Sequence, residues 1–157
     1  MAQDSNAADP SPRDAFAAEL IGRLQSQDEA ARNLGIAVEA IGMGWCRLSM
    51  RVRPDMLNGY KVSHGGYIFT LADTAMAYAS NGANQTMLAQ NAQITFLSPG
   101  KADEVLIAEA REVSRAKRSG LYDVDVRGED GRMVAAFRGG VRSTPDPVDP
   151  DMGEPPA

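Results

Sequence analysis

Apolar residues recur through residues 13–32 at helical spacing, with Phe16, Leu20 and Leu24 on one face and Ile21 beside them. The expectation is a one-faced amphipathic helix lying on a larger body. Asn33-Leu34-Gly35 reads as its stop, because Asn and Gly tolerate the left-handed conformation that ends helices. From Cys46 to Val52 the period changes to two: Cys46, Leu48, Met50 and Val52 alternate with Arg47, Ser49 and Arg51. That is the pattern of a half-buried strand. Pro54-Asp55 closes it, and Leu57-Asn58-Gly59 turns the chain.

The stretch from Tyr67 to Ala79 is apolar nearly throughout, with Ser63 near its start and Asn81-Gly82 at its end, and predicts a long central helix. Strand-like runs follow at about 87–97, 104–113, 121–127 and 132–142. Ser98-Pro99-Gly100 and Gly128-Glu129-Asp130-Gly131 punctuate them, the last closely enough for a hairpin. One long apolar helix with five or so antiparallel strands implies an α+β domain whose sheet wraps the helix.

Composition narrows this to a single domain of about residues 13–143. Residues 144–157 are acidic and proline-rich, residues 1–12 are polar with two prolines, and both ends read as disordered tails. A net charge of −5 argues against a nucleic-acid partner. Asp73 interrupts the apolar region between His64 and Lys101, which is therefore a packed interior and a poor membrane span. A lone cysteine, Cys46, excludes an internal disulfide, and with no signal-peptide pattern at residue 1 a cytoplasmic location is expected.

Candidate chemistry starts at Asp73, the only acid or base other than tyrosine between His64 and Lys101. Burying an unpaired carboxylate costs on the order of several kcal/mol. Two readings fit: a carboxylate satisfied by a neighbour or by solvent, or a base whose pKa is raised by desolvation. His64-Gly65-Gly66 precedes the helix, where free amides and the positive end of the dipole could hold a developing oxyanion; a packing turn is the alternative. His64 is the only histidine, so a multi-histidine metal site is excluded, and it suits a general acid or a structural imidazole. Asn58 fits a turn or an amide donor. Arg115, Lys117 and Arg118 form a basic cluster that is either a solvated hairpin tip or a contact for phosphates. Serine-hydrolase elbow and phosphate-loop motifs are absent from the sequence.

Four ordered blocks, Met56-Leu57-Asn58-Gly59, His64-Gly65-Gly66, Leu71-Ala72-Asp73-Thr74-Ala75 and Phe96-Leu97-Ser98-Pro99-Gly100, resemble the hotdog-fold acyl-CoA thioesterases. Within that superfamily the pattern is most similar to the PaaI family of hydroxyphenylacetyl-CoA thioesterases. The resemblance implies a curved antiparallel β-sheet wrapped around the central helix, an N-terminal helix, and a homotetramer built as a dimer of dimers with active sites between subunits. It implies that Asn58 and the Gly66 amide of one subunit polarise the thioester carbonyl, that His64 supports that loop, and that Asp73 of the partner attacks or activates water. Gly65 and Thr74 would flank the substrate. Relatives carry a Ser or Thr on the strand after the central helix; here that neighbourhood reads Ala89-Gln90-Asn91-Ala92, so Gln90, Asn91 and Asn81 are the candidates to replace it. Arg115, Lys117 and Arg118 would meet the coenzyme A phosphates. No metal or separate cofactor is expected, since coenzyme A belongs to the substrate. Two other activities fit less well: a non-catalytic acyl-CoA sensor, and a hydratase or dehydratase, for which the Asp-x-x-x-x-His motif is missing.

Overall fold

A computed structural model describes residues 9–157, so most of the tail expected over 1–12 lies outside the described residues. Ser11 opens helix α1 (Pro12–Gln27): its Oγ accepts from the Asp14 amide at 3.1 Å, and Pro12 sits where no helical amide is required. The helix expected over 13–32 breaks at Asp28. The Asp28 carboxylate caps a second short helix, α2 (Glu29–Asn33), through the Ala31 amide at 3.0 Å, and also accepts from the Tyr78 hydroxyl at 2.9 Å. Local periodicity is blind to this break, because half of its cause is a buried phenol from a distant helix.

Six strands follow the plan β1 (Ala37–Gly42), β2 (Trp45–Arg51), β3 (Met87–Phe96), β4 (Val105–Arg115), β5 (Ser119–Arg127) and β6 (Met133–Ser143). They form one antiparallel sheet in the order β1-β2-β4-β5-β6-β3. Strand β1 goes beyond the five or so strands expected. A register irregularity between Val38 and Ala40 spoils its alternation, and it lies on an edge. Strand β3 is the opposite edge and buries little on either face; Leu88 is 59% and Phe96 51% exposed.

The central helix α3 (Gly65–Asn81) lies across the sheet against β2, β4 and β5. Leu71, Ala72, Ala75, Met76 and Tyr78 are buried from the helix side, and Cys46, Leu48, Met50, Leu106, Tyr122 and Val124 from the sheet side. Burying each leucine here contributes about 2 kcal/mol. The close approach depends on Gly139 of β6, where a methyl group would overlap Met76 Sδ. The Cys46 thiol donates to the Ala75 carbonyl at 3.1 Å, and burial pushes its pKa up to about 12.

The C-terminal segment differs from the disordered tail expected over 144–157. Asn84, at φ +56°, donates from Nδ2 to the carbonyls of Asp149, Met152 and Gly153 at 3.0, 2.6 and 3.0 Å, and its Oδ1 accepts from the Asp149 amide at 2.9 Å. Backbone bonds between Thr86 and both Thr144 and Asp146 continue the attachment. Composition misleads here because the segment is held by backbone acceptors gathered on one side chain, and its prolines lower the entropy lost on ordering. Among the described residues no helix is long and apolar enough to cross a membrane.

Candidate active site

The chain enters α3 through residues 57–64, which are pinned at both ends. The Asn58 amide donates to Val62 O at 2.9 Å, with Lys61 at φ +62°; the Ser63 amide donates to Gly100 O and the His64 amide to Met56 O, both at 2.8 Å. Within the turn the Asn58 Oδ1 accepts from the Tyr60 and Val62 amides at 2.9 and 3.3 Å. That oxygen is consumed as an acceptor, which fixes the orientation of the side-chain amide. Its Nδ2 keeps both N–H groups without an acceptor among the described residues. Asn58, Ser63, Gly65, Ile68, Phe96 and Leu97 border a cleft of about 440 Å³.

The cap of α3 engages both His64 and Gly66. His64, not Ser63, is the N-cap residue, because Ser63 is buried and occupied in the bridges to Leu57 and Gly100. His64 Nδ1 accepts from the Gly66 amide at 3.1 Å, so the donor assigned to the oxyanion by resemblance is already spent on the cap. The accepting Nδ1 places the imidazole proton on Nε2. The Gly65 amide has no partner among the described residues and borders the cleft. Phe96 packs over Gly65 so closely that a Cβ there would lie 2.8 Å from its Cζ.

Asp73 lies two turns further along α3, about 10 Å of helical rise from Gly66. Residues Gly66, Thr70, Asp73, Thr74 and Ala77 form the least covered stripe of α3, while Phe69 beside them packs edge-on against Phe137 of β6. Asp73 is half-buried in that stripe; desolvation raises its pKa, and among the described residues no hydrogen bond or cation offsets that rise. In one chain, therefore, the amide-lined cleft and the carboxylate share a helix face but stand apart.

The remaining expected residues divide. Thr74 sits beside Asp73 on the open stripe. Asn81 is buried and fully used: Nδ2 donates to the Ala77 and Met87 carbonyls at 2.8 and 3.1 Å, and Oδ1 accepts from the Met87 amide at 2.9 Å. It pins α3 to β3 and has no donor left for a substrate. Gln90 and Asn91 are exposed on the β3 edge, with Asn91 against Gly140 at a register shift. Arg115 turns inward to Ser80 O and the Tyr122 hydroxyl, both at 3.2 Å, and pairs with Glu112, so it is not a free phosphate ligand; Lys117 and Arg118 stay exposed at the hairpin tip. The cleft also uses Val62, Ile68 and Leu97, which the sequence offered only as ordinary apolar positions. Only Leu97 carried a signal, through the Phe96–Gly100 block, which was legible as a turn and not as a wall of the site.

This fold and cleft define a class. Residues 60–135 match the thioesterase superfamily, and the chain belongs to the hotdog-fold thioesterases, enzymes that hydrolyse thioesters. Acyl-coenzyme A thioesterase PaaI of Escherichia coli is 38% identical over 116 residues, 74% of this chain and 83% of that protein. The structure of the E. coli PaaI protein from the phenylacetic acid degradation operon superposes with a TM-score of 0.84 at 34% identity, covering 85% of this chain and 97% of that one. A hypothetical thioesterase of Streptococcus pneumoniae, solved with coenzyme A, superposes with a TM-score of 0.68 at 26% identity over 71% of this chain and 87% of that one.

Proposed function

We propose that the protein hydrolyses acyl-CoA thioesters, with phenylacetyl, hydroxyphenylacetyl or a related aryl or short-to-medium acyl group, in the breakdown of aromatic acids in the cytoplasm. The likeness to E. coli PaaI supports the substrate class. In this mechanism the thioester carbonyl lies in the cleft, where Asn58 Nδ2 and the Gly65 amide donate to its oxygen. Asp73 of a second copy takes a proton from water as that water adds to the carbonyl carbon. The tetrahedral intermediate collapses with cleavage of the C–S bond, and coenzyme A leaves as the thiol once it regains that proton. The free carboxylic acid is the other product. No metal enters any step.

Pairing of the open β3 edge with a second copy, and of those dimers into a tetramer, would give each cleft its carboxylate. Asn58 carries this reading: its oxygen is locked into the turn, so its N–H groups are the end left for the cleft. The cap formed by His64 Nδ1 leaves it poorly placed as the base of a hydratase. The test is thiol release from a panel of acyl-CoAs. Wild-type protein should release thiol, with phenylacetyl-CoA a good substrate, and Asp73→Asn should lose most turnover while keeping its oligomer. An Asp73→Asn protein of near-normal rate would remove Asp73 from the mechanism.

A further inference from the structure

A second cleft, also of about 440 Å³, opens at the other end of the least covered face of α3. Ala77, one of its walls, is four residues beyond Asp73, so the cleft begins about 6 Å along the helix from that carboxylate. Leu24, Tyr78, Met87, Leu88 and Val148 complete its apolar lining. Of the polar side chains at its margin, the Asp28 carboxylate is satisfied by the Tyr78 hydroxyl and the Ala31 amide and the Asn81 side chain by Ala77 and Met87, while the uncharged Gln27 and Thr86 complete the rim. No Lys or Arg borders it among the described residues. Its volume falls in the range of small-molecule sites.

Val148 belongs to the C-terminal segment, and its position is over-determined. Asn84 clamps Asp149, Met152 and Gly153, Asp146 O accepts from the Thr86 amide at 3.1 Å, and Arg23 pairs with Asp149 at 3.2 Å. Thr86 holds the chain before Val148 and Asn84 holds it after, which leaves Val148 as a wall of the cleft.

We propose that this cleft receives the uncharged aryl or alkyl part of the acyl group, and that Val148, held by the Asn84 clamp, limits how bulky that group can be. The inference rests on the acyl-CoA hydrolysis described above. An acyl group ending in a carboxylate is disfavoured twice, by the apolar lining and by Asp28 at the margin.

The test compares full-length wild type, Val148→Ala, Val148→Phe and Asn84→Ala on acetyl-, hexanoyl-, phenylacetyl- and succinyl-CoA. Val148→Phe should lower the phenylacetyl-to-acetyl ratio of kcat/KM by about tenfold or more, the scale on which an apolar pocket discriminates by size. Val148→Ala should raise the ratio of hexanoyl- or phenylacetyl-CoA to acetyl-CoA. Asn84→Ala should shift it in the same direction by freeing the wall, and succinyl-CoA should be the poorest substrate throughout. Acetyl-CoA turnover and thermal unfolding report whether each variant is folded. Selectivity ratios that stay at the wild-type value in all three folded variants overturn the inference and leave the thioesterase reading standing. A folded wild type that releases thiol from none of the four overturns both.

Discussion

Asn58 does two jobs with the two ends of one amide, and substitution can separate them. Asn58→Asp keeps an oxygen where the Tyr60 and Val62 amides need it, so the turn should survive. It removes the N–H donors at the cleft and puts negative charge where an oxyanion must form. Loss of one such donor costs about 3–4 kcal/mol of transition-state stabilisation, or about 10²–10³ in kcat. Asn58→Ala forfeits the same donor and also the two turn bonds, worth about 1 kcal/mol each. With a Tm shift of about 2–4 °C per kcal/mol for a domain of this size, the alanine protein should melt about 4–8 °C lower. The two variants should therefore share a catalytic defect and differ in stability. Thiol-release kinetics beside thermal denaturation reads both quantities. An Asn58→Asp enzyme with wild-type kcat would refute the role given to Nδ2, and an Asn58→Ala enzyme with unchanged Tm would refute the role given to Oδ1.

Three further outcomes follow from groups shielded from solvent. Because desolvation raises the pKa of Asp73, the acid limb of kcat/KM should sit above the ordinary carboxylate value of 3.8, with activity lost as pH falls through it and the limb absent from residual Asp73→Asn turnover. The same shift has a stability sign: the folded state holds this proton more tightly, so the stability it adds at acid pH is lost as pH rises from the unfolded value through the folded one. Asp73→Asn should then melt above wild type at neutral pH and match it below pH 3.8, as paired melting curves would report; equal melting points at neutral pH would count against a desolvated carboxylate. Cys46, with its thiol buried and its pKa pushed up to about 12, should not react with a disulfide reagent in native protein and should label once on unfolding. Rapid labelling of the native enzyme would contradict the burial.

Elements whose cause is local were legible in the chain itself. The alternation from Cys46 to Val52 appears as β2, with all four apolar positions buried, and the apolar run before Asn81-Gly82 appears as α3. Features whose cause lies elsewhere in the sequence were not. The break at Asp28 depends on Tyr78, the ordering of 144–153 depends on Asn84, and the inward turn of Arg115 depends on Ser80 and Tyr122. The site shows the same division. Asp73 stood out because a carboxylate in an apolar helix breaks the local pattern. That the Gly66 amide donates to His64 Nδ1 depends on a His64 rotamer that no spacing rule reports.

Mixing two defective proteins tests most directly whether catalysis needs groups from two chains. Asp73→Asn and Asn58→Asp subunits, each inactive alone, are unfolded together and refolded. Random pairing puts half of the dimers in hybrid form, each with one intact cleft and one carrying both defects, so about a quarter of wild-type activity should return. A refolded mixture as inactive as its parents, with hybrid dimers demonstrated by mass, would contradict a site assembled across the interface.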